Sequence, residues 1–256
     1  MFSEKGEEKK KSSEWKDREI FSLLRTTIPF IVRIDGRNFK TILEKHSFSK
    51  PYDEEFARAM VNSAKKVIEE LGAVFAYTFS DEVNFYFSTP IFNLRIEKIN
   101  SVIPSLMASN LTIHLHSEFA ISFDSRIIPI EKEMIAEYLK WRQDEAWRNH
   151  MNSYAFYTLL NETGDKKEVI KTLNGMKGKD IHDMLFKKGI NLAKTPAWQR
   201  RGILIYRENY VKCIQNGNPV KRGRITENWD LPLFDSEEGR KLIKKIIFQQ
   251  LPEQPS

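Results

Sequence analysis

Two acidic positions in this chain follow apolar runs and could bind a metal ion. Asp35 ends the run Pro-Phe-Ile-Val-Arg-Ile-Asp, and Asp81 and Glu82 follow a second run that closes with Phe79 and Ser80. An unpaired carboxylate at the end of a buried strand is costly in free energy, so such residues need a partner. Two carboxylates that converge at strand ends would suit a hard divalent cation. The same residues are also common in ordinary turns and hairpin tips, and that structural interpretation stays open.

The elements around these residues are predicted from the spacing of apolar side chains. A strand at 28–34 precedes helical spacing at 53–71, two aromatic-rich strands at 73–79 and 83–87, and then further helical and extended stretches up to residue 130. The order strand, helix, strand, strand, helix, strand is the split βαβ pattern, in which the first strand lies beside the central hairpin. The sequence therefore predicts an α+β fold with a ferredoxin-like βαββαβ antiparallel sheet, helices on one face, and Asp35 near Asp81.

Helical spacing dominates the rest of the chain. Two helices are predicted at 134–160 and 180–188, and two short strands at 203–206 and 210–214 are predicted to form a terminal hairpin. We expect three parts: a mobile segment at 1–14, a catalytic domain at 15–130, and a helical and β-hairpin elaboration at 131–256 that packs on it.

Composition narrows the class of protein. The 256 residues are 41% apolar and 12% aromatic, which favours a folded globule, and the formal charge of +6 is compatible with a polyanionic partner. The single cysteine, Cys213, excludes an internal disulfide and a cysteine-cluster zinc site. No apolar run approaches the roughly 20 residues that cross a membrane, and the start of the chain has no signal-peptide core. We therefore expect a cytoplasmic protein without a membrane partner.

A polymerase-like palm with two carboxylates at the sheet's edge has the geometry for two-metal phosphoryl transfer. One Mg²⁺ ion would lower the pKa of an attacking hydroxyl, while the other would bind a triphosphate and relieve charge on the leaving pyrophosphate. Asp35, Asp81 and the backbone carbonyl beside Asp35 are hard oxygen ligands of the kind that Mg²⁺ prefers. Gly36 would let that backbone approach the metal closely.

Several blocks in one collinear order carry a family resemblance. The blocks are Asp35-Gly36-Arg37-Asn38-Phe39-Lys40, then Lys-His-Ser-Phe-Ser-Lys-Pro at 45–51, Phe79-Ser80-Asp81-Glu82, Phe-Asp-Ser-Arg at 123–126, Trp141-Arg142-Gln143, and Pro-Ala-Trp-Gln-Arg-Arg-Gly at 196–202. Across roughly residues 15–210 the chain resembles the histidine-tRNA guanylyltransferase family. That family adds a nucleotide to the 5′ end of tRNA, a 3′-to-5′ polymerisation on a polymerase-like palm.

The resemblance implies roles for individual residues. Asp35, the Gly36 carbonyl and Asp81 match the ligands of two Mg²⁺ ions, with Glu82 as the adjoining catalytic acid. The matching nucleotide-binding positions are the backbone amides of Arg37, Asn38, Phe39 and Lys40, the side chains of Lys50 and Ser80, and the basic pair Arg95 and Lys98 that would bind or activate the 5′ end. ATP, GTP or other nucleoside triphosphates are the implied substrates. The implied partners are tRNA and further copies of the chain, in a dimer or tetramer.

Basic and polar residues after Glu82 are candidates for tRNA contact, although surface salt bridges would explain the arginines among them at least as well. They are Arg126, Arg148, Asn149, His150, Arg200 and Arg201.

One departure from the eukaryotic pattern bears on specificity. Eukaryotic members carry a histidine and an asparagine-rich signature after the Trp-Arg-Gln block, whereas Trp147 stands here in place of that histidine. In this respect the chain is similar to the archaeal and bacterial guanylyltransferase-like branch, which prefers template-dependent addition and can repair 5′-truncated tRNA. The expected function is a template-dependent 3′-to-5′ nucleotidyltransferase that activates a 5′-monophosphate with ATP and adds nucleotides to tRNA.

Two other functions stay open at this point. One is another palm-type nucleotidyl transferase, such as a nucleotide cyclase or a forward polymerase. The other is a tRNA-binding module with a degenerate active site, against which the intact residues Asp35, Asp81, Glu82 and Lys50 argue.

Overall fold

A computed structural model describes residue 15, residues 18–212 and residues 220–248. The predicted mobile segment 1–14 and Cys213 lie outside the described residues, as does the end of the predicted strand 210–214. None of the helices within the described ranges is long and apolar enough to span a membrane.

Strands and helices follow one another in nearly the predicted order. The elements are β1 (Phe30–Gly36), α1 (Phe39–Lys45), α2 (Glu54–Leu71), β2 (Phe75–Phe79), β3 (Glu82–Phe87), α3 (Ile96–His114), β4 (Phe123–Pro129), α4 (Ile135–Thr163), α5 (Lys166–Leu173), α6 (Gly178–Lys187), α7 (Ala197–Arg201), β5 (Ile203–Lys212), β6 (Val220–Asn228) and α8 (Glu237–Phe248).

The strands form one antiparallel sheet in the order β4-β1-β3-β2-β5-β6. Its first four strands have the arrangement of a ferredoxin-like βαββαβ unit, so the predicted α+β fold is confirmed. Antiparallel pairing places the end of β1 and the turn between β2 and β3 at the same edge of the sheet.

Alternation along β1 divides the sheet into two packed faces. Phe30, Val32 and Ile34 lie on the face that α2 and α3 cover, whereas Ile31 lies on the opposite face, under α4 and α8. The helices of the ferredoxin-like unit therefore lie on one face, as predicted, and the C-terminal helices cover the other. No helix is predicted at 237–248, although Ile243, Ile246 and Ile247 have the helical spacing seen in α8.

The C-terminal hairpin differs from the predicted one. A single strand, β5, runs through both predicted strands, and its partner is β6. Within this strand Glu208 accepts hydrogen bonds from Arg224 at 2.9 Å and from Lys245 at 3.1 Å. Glu208 is thus satisfied by partners on β6 and α8, and the extended conformation continues.

Candidate active site

The end of β1 and the β2–β3 turn bring the predicted metal ligands together. Asp35 pairs across the sheet with Glu82, and the Gly36 amide donates a hydrogen bond to the Asp81 carbonyl oxygen at 3.1 Å. Ser80 has φ 50° in the two-residue turn, and its hydroxyl donates to Asp81 Oδ1 at 3.0 Å. Asp35, Gly36 and Asp81 therefore form one cluster at the sheet's edge.

Two observations indicate that this cluster fits a hard divalent cation. Burial, together with the nearby charge of Asp35, raises the pKa of Asp81 to about 6, so the two carboxylates repel each other without a cation between them. A Cβ atom at Gly36 would lie 2.3 Å from the Phe39 ring and 2.8 Å from Asp81 Cβ, so only glycine fits there. Among the described residues, no group of three or more His, Cys, Asp or Glu side chains converges on a metal-sized site. The remaining ligands would have to be backbone or substrate oxygens.

Glu82 is held by an ion pair on the α4 side of the sheet. Arg142 donates from Nε to Oε1 at 2.9 Å and from Nη2 to Oε2 at 2.6 Å, and Asn84 also donates to Oε1 at 2.7 Å. Both carboxylate oxygens are engaged, and the residue is buried. The predicted catalytic role of Glu82 stays a prediction, and this geometry favours a positioning role instead.

Two residues that sequence reasoning missed complete this buried network. The Tyr138 hydroxyl donates to Asn84 Oδ1 at 2.6 Å, which links α4 to β3. An asparagine inside the strand Glu-Val-Asn-Phe-Tyr-Phe was the available signal, because a buried amide requires hydrogen-bond partners. The network fixes the position of α4 relative to the carboxylates.

A cleft of about 430 Å³ opens beside Asp81, between α1, the loop before α2 and the second half of α4. Lys40, Lys50 and Ser80, all predicted to bind nucleotide, line it. Burial lowers the pKa of Lys50, and its Nζ lies 5.9 Å from the centre of the Tyr157 ring. The cleft thus combines cationic side chains with the aromatic rings beside them, which complement the phosphates and the base of a nucleotide.

One backbone amide of the turn at 37–40 already takes part in a hydrogen bond within the fold. The Arg37 amide donates to the Ser122 carbonyl at 2.9 Å, so that amide is unavailable to a phosphate. Asn38 has φ 59° and precedes α1, whose first residue, Phe39, packs its ring 5.1 Å from that of Phe123. The predicted amide cradle is therefore reduced to Asn38, Phe39 and Lys40.

The basic pair Arg95 and Lys98 lies at the start of α3. β3 runs from Glu82 at the site to Phe87 at the opposite edge of the sheet, a span of roughly 17 Å. The Arg95 backbone forms a β-bridge with Arg25 at that far edge, and α3 then runs back along the sheet, where Asn100 accepts a hydrogen bond from the Ser125 hydroxyl at 2.8 Å. The role of Arg95 and Lys98 in binding or activating the 5′ end stays a prediction.

Two tRNA-contact candidates on α4 have different surroundings. Asn149 lines the cleft, whereas His150 has no exposed surface and stacks between the rings of Tyr52 and Trp147. A 2.9 Å hydrogen bond joins His150 Nε2 to the Thr195 hydroxyl, and burial lowers the pKa of this histidine to about 4. A side chain buried in this way cannot contact tRNA, so the structure contradicts the prediction for His150.

The candidate arginines fall into two groups. Arg126 and Arg148 are exposed and pair with Asp124 at 3.5 Å and with Glu145, respectively. Arg200 and Arg201 donate to backbone carbonyls, at 3.1 and 2.7 Å, and so stabilise the loops around α7. All four stay predictions as tRNA contacts, and the first pair is the more accessible.

Comparison with known proteins identifies relatives over most of the chain. A family profile described as "tRNAHis guanylyltransferase" matches residues 11–131, and one described as "Thg1 C terminal domain" matches residues 133–238. The chain is 32% identical to tRNA(His) guanylyltransferase 1 of Arabidopsis thaliana over 76% of its own length and 37% of that protein. It is 31% identical to tRNA(His) guanylyltransferase of Candida glabrata, over 68% of its own length and 81% of the relative. The chain thus spans well under half of the Arabidopsis relative and most of the Candida one.

Solved structures show the same similarity. A bacterial tRNA(His) guanylyltransferase (Thg1)-like protein in complex with ATP aligns with a TM-score of 0.73 and 25% identity, over 93% of this chain and 99% of its own. The tRNA(His) guanylyltransferase of Saccharomyces cerevisiae aligns with a TM-score of 0.64 and 26% identity, over 75% and 91% of the two chains.

Proposed function

Because the chain belongs to the tRNA(His) guanylyltransferase family, we propose that it adds nucleotides to the 5′ end of tRNA in the 3′-to-5′ direction, opposite a template base. The observation that carries the proposal is the cluster of Asp35, Gly36 and Asp81 beside a cleft lined by Lys40 and Lys50. A relative solved in complex with ATP supports a nucleotide as the occupant of that cleft.

Asp35, Asp81 and the Gly36 carbonyl would hold Mg²⁺. When bound, two such ions would lower the pKa of an attacking hydroxyl and offset the charge of the triphosphate. Lys40 and Lys50 offset further phosphate charge. Glu82 keeps α4 in place through Arg142, so the α4 wall of the cleft stays aligned with the carboxylates.

The reaction has two displacements at phosphorus. A 5′-monophosphate of the RNA attacks the α-phosphorus of ATP and releases pyrophosphate, which leaves an adenylylated 5′ end. The 3′-hydroxyl of the incoming nucleoside triphosphate then attacks the 5′-phosphorus of the RNA and releases AMP. Watson–Crick pairing with an unpaired base near the 3′ end selects the nucleotide, so the protein needs to recognise only RNA shape and backbone.

Incubation of the protein with full-length and 5′-truncated tRNAs, Mg²⁺, ATP and each labelled nucleotide in turn tests this function. We expect label at the 5′ end, chosen by the opposing base. Asp35→Asn should abolish addition while tRNA binding persists, and Glu69→Gln, an exposed acid on α2, should act as wild type. Label at the 3′ end would indicate a forward polymerase, and absence of Mg²⁺-dependent turnover would indicate a binding module.

A homo-oligomer, a dimer or a tetramer, is part of the proposal. Its support is a set of exposed apolar side chains that precede β1: Trp15, Ile20, Phe21, Leu23, Leu24 and Ile28. Apolar surface of this kind is characteristic of protein interfaces. Light scattering should show that Leu23→Asp reduces the molecular mass in solution, whereas Ile170→Asp, at an exposed isoleucine on α5, leaves it unchanged. An unchanged mass for Leu23→Asp would exclude this surface as the interface.

We place the protein in the cytoplasm, where its tRNA substrates would be found. A fluorescent fusion in cells tests that location, and a signal confined to another compartment would contradict it.

A further inference from the structure

Like charges face each other across the β1–β4 pair, on the sheet face that carries Asp35. Asp35 lies opposite Asp124, and two residues along the strand Arg33 lies opposite Arg126. Residues two apart in a strand share a face, and like charges directly opposite each other are destabilising. An acidic pair at the end of the sheet is therefore followed by a basic pair. The cation expected at Asp35 would relieve the first. The second is offset in part by the Asp124–Arg126 ion pair at 3.5 Å and by the charge of Glu82 near Arg33, and a bound anion would relieve it further.

Arg33 lacks an acceptor although it lies in a central strand. Its Nε is buried without a hydrogen-bond partner, and within residues 18–212 and 220–248 its guanidinium forms no hydrogen bond or ion pair. The guanidinium carbon lies 5.5 Å from the centre of the Trp141 ring. A cation–π contact uses the face of the guanidinium and leaves its N–H groups free in the plane. An unsatisfied buried donor is unfavourable in free energy, so this geometry indicates a missing acceptor.

Arg126 provides a second, accessible donor at this position. Its side chain is half exposed on the outer strand β4, and its nearest carboxylate oxygen, on Asp124, is 3.5 Å away, too long for a strong hydrogen bond. Neither Arg33 nor Arg126 lines the nucleotide cleft, whose walls come from α1, α4 and the β2–β3 turn. The two arginines therefore present donors to a ligand that approaches from a different side of the carboxylates.

We propose that Arg33 and Arg126 bind a backbone phosphate of the RNA strand, next to the 5′ end that reacts at Asp35. This inference rests on the proposed function. Two residues along a strand correspond to about 6.6 Å, a distance that one nucleotide of an RNA strand can span. Trp141 acts as a positioning residue that holds the Arg33 guanidinium in place. The phosphate at this site is thus the first phosphodiester of the acceptor strand.

The first test compares Arg126→Gln and Arg33→Gln with Arg58→Gln, a matched control at an exposed, ion-paired arginine on α2. Each test variant should raise the Kd for tRNA roughly ten-fold and reduce the slope of log Kd against log salt concentration by about one. The KM for the nucleoside triphosphate should not change. An unchanged Kd for tRNA, or a rise confined to the nucleotide KM, would overturn the proposal. If Arg33→Gln does not fold, Arg126→Gln carries the test, since Arg126 is exposed on an outer strand.

A second test removes the charge from the RNA instead of the protein. A tRNA with an uncharged methylphosphonate at its first linkage should bind wild type roughly ten-fold more weakly, and Arg126→Gln should bind both RNAs almost equally. Fully additive losses would place the phosphate elsewhere and overturn the proposal. Addition by wild type is measured in parallel, so that failure of the proposed activity is distinguishable from failure of this phosphate site.

Discussion

Burial and the charge of Asp35 both disfavour the ionised form of Asp81 at neutral pH. Its pKa in the folded chain is raised to about 6, so the folded state favours the protonated form. The protonated Asp81 carboxyl therefore contributes to the free energy of unfolding below the ordinary carboxyl pKa, and this contribution is lost as the pH rises through 6. A divalent cation at Asp35 and Asp81 would reverse this penalty.

Asp81→Asn should therefore stabilise the metal-free protein at pH 7.5, by up to about 3 kcal/mol, while it abolishes nucleotide addition. Urea unfolding with and without Mg²⁺ measures the effect. In wild type, Mg²⁺ should raise the midpoint more at pH 7.5 than at pH 5. The exposed Asp183→Asn on α6 provides a control without these effects. A destabilised Asp81→Asn variant would contradict the assignment.

Sequence reasoning reached Asp35, Asp81 and Lys50 because each lies next to a local pattern that can be recognised. It missed Arg33, although a lone arginine in the run Phe-Ile-Val-Arg-Ile was visible. The partner of that arginine across the sheet, Arg126, is 93 positions away, and only the register of β1 with β4 pairs them. His150 was misassigned for a related reason, because the rings that bury it come partly from Tyr52.

At the scale of elements, α4 has two roles along its length. Its first half packs Ile135, Tyr138 and Leu139 against the sheet, and its second half supplies Asn149 and Tyr157 to the cleft. The Glu82–Arg142 pair lies between these halves. The orientation of the cleft wall therefore depends on a buried ion pair.

Arg142→Met should lower the free energy of unfolding by about 3–5 kcal/mol, because Glu82 would stay buried without its partner. Urea denaturation measures this loss, and the double variant Glu82→Gln/Arg142→Met should recover much of it. Lys140→Met, which removes an exposed pair with Asp144, should leave the urea midpoint close to that of the wild type. A loss below about 1 kcal/mol for Arg142→Met would show that the pair does not hold α4.

Element positions followed from apolar spacing wherever one face of an element is buried. α2 begins after Asp53, whose Oδ1 accepts from the Phe56 amide at 3.0 Å, and it ends at Gly72 with φ 74°. Both signals are local, and the predicted helical spacing at 53–71 ends at the last residue of α2, Leu71. The extent of β5 was not predictable in this way, because Glu208 is satisfied by Lys245 from α8, far along the chain.

At the scale of the whole molecule, the predicted catalytic domain at 15–130 does not contain its complete sheet. β5 pairs with β2 from Phe75 to Thr78, and α4 and α8 cover Phe75, Tyr77 and Tyr86 on the second face. Removal of the C-terminal part would expose these aromatic side chains and leave β2 as an unpaired edge.

A fragment of residues 15–130 should therefore aggregate beyond the dimer or tetramer proposed for the full chain, and it should bind more of a hydrophobic dye than the full chain does. Light scattering and dye fluorescence on both proteins at equal concentration measure this difference. A monomeric fragment with a cooperative unfolding transition would instead support an independent domain.

The pairing of β2 with β5 also has a consequence for synthesis of the protein on the ribosome. β2 ends at Phe79, whereas its neighbour in the sheet starts at Ile203. At a translation rate of about 5–20 residues per second, the open edge of β2 waits on the order of ten seconds for that neighbour. During this interval the nascent chain presents an aromatic strand that can pair with other chains. Folding without aggregation therefore requires that the edge of β2 stays covered until β5 emerges.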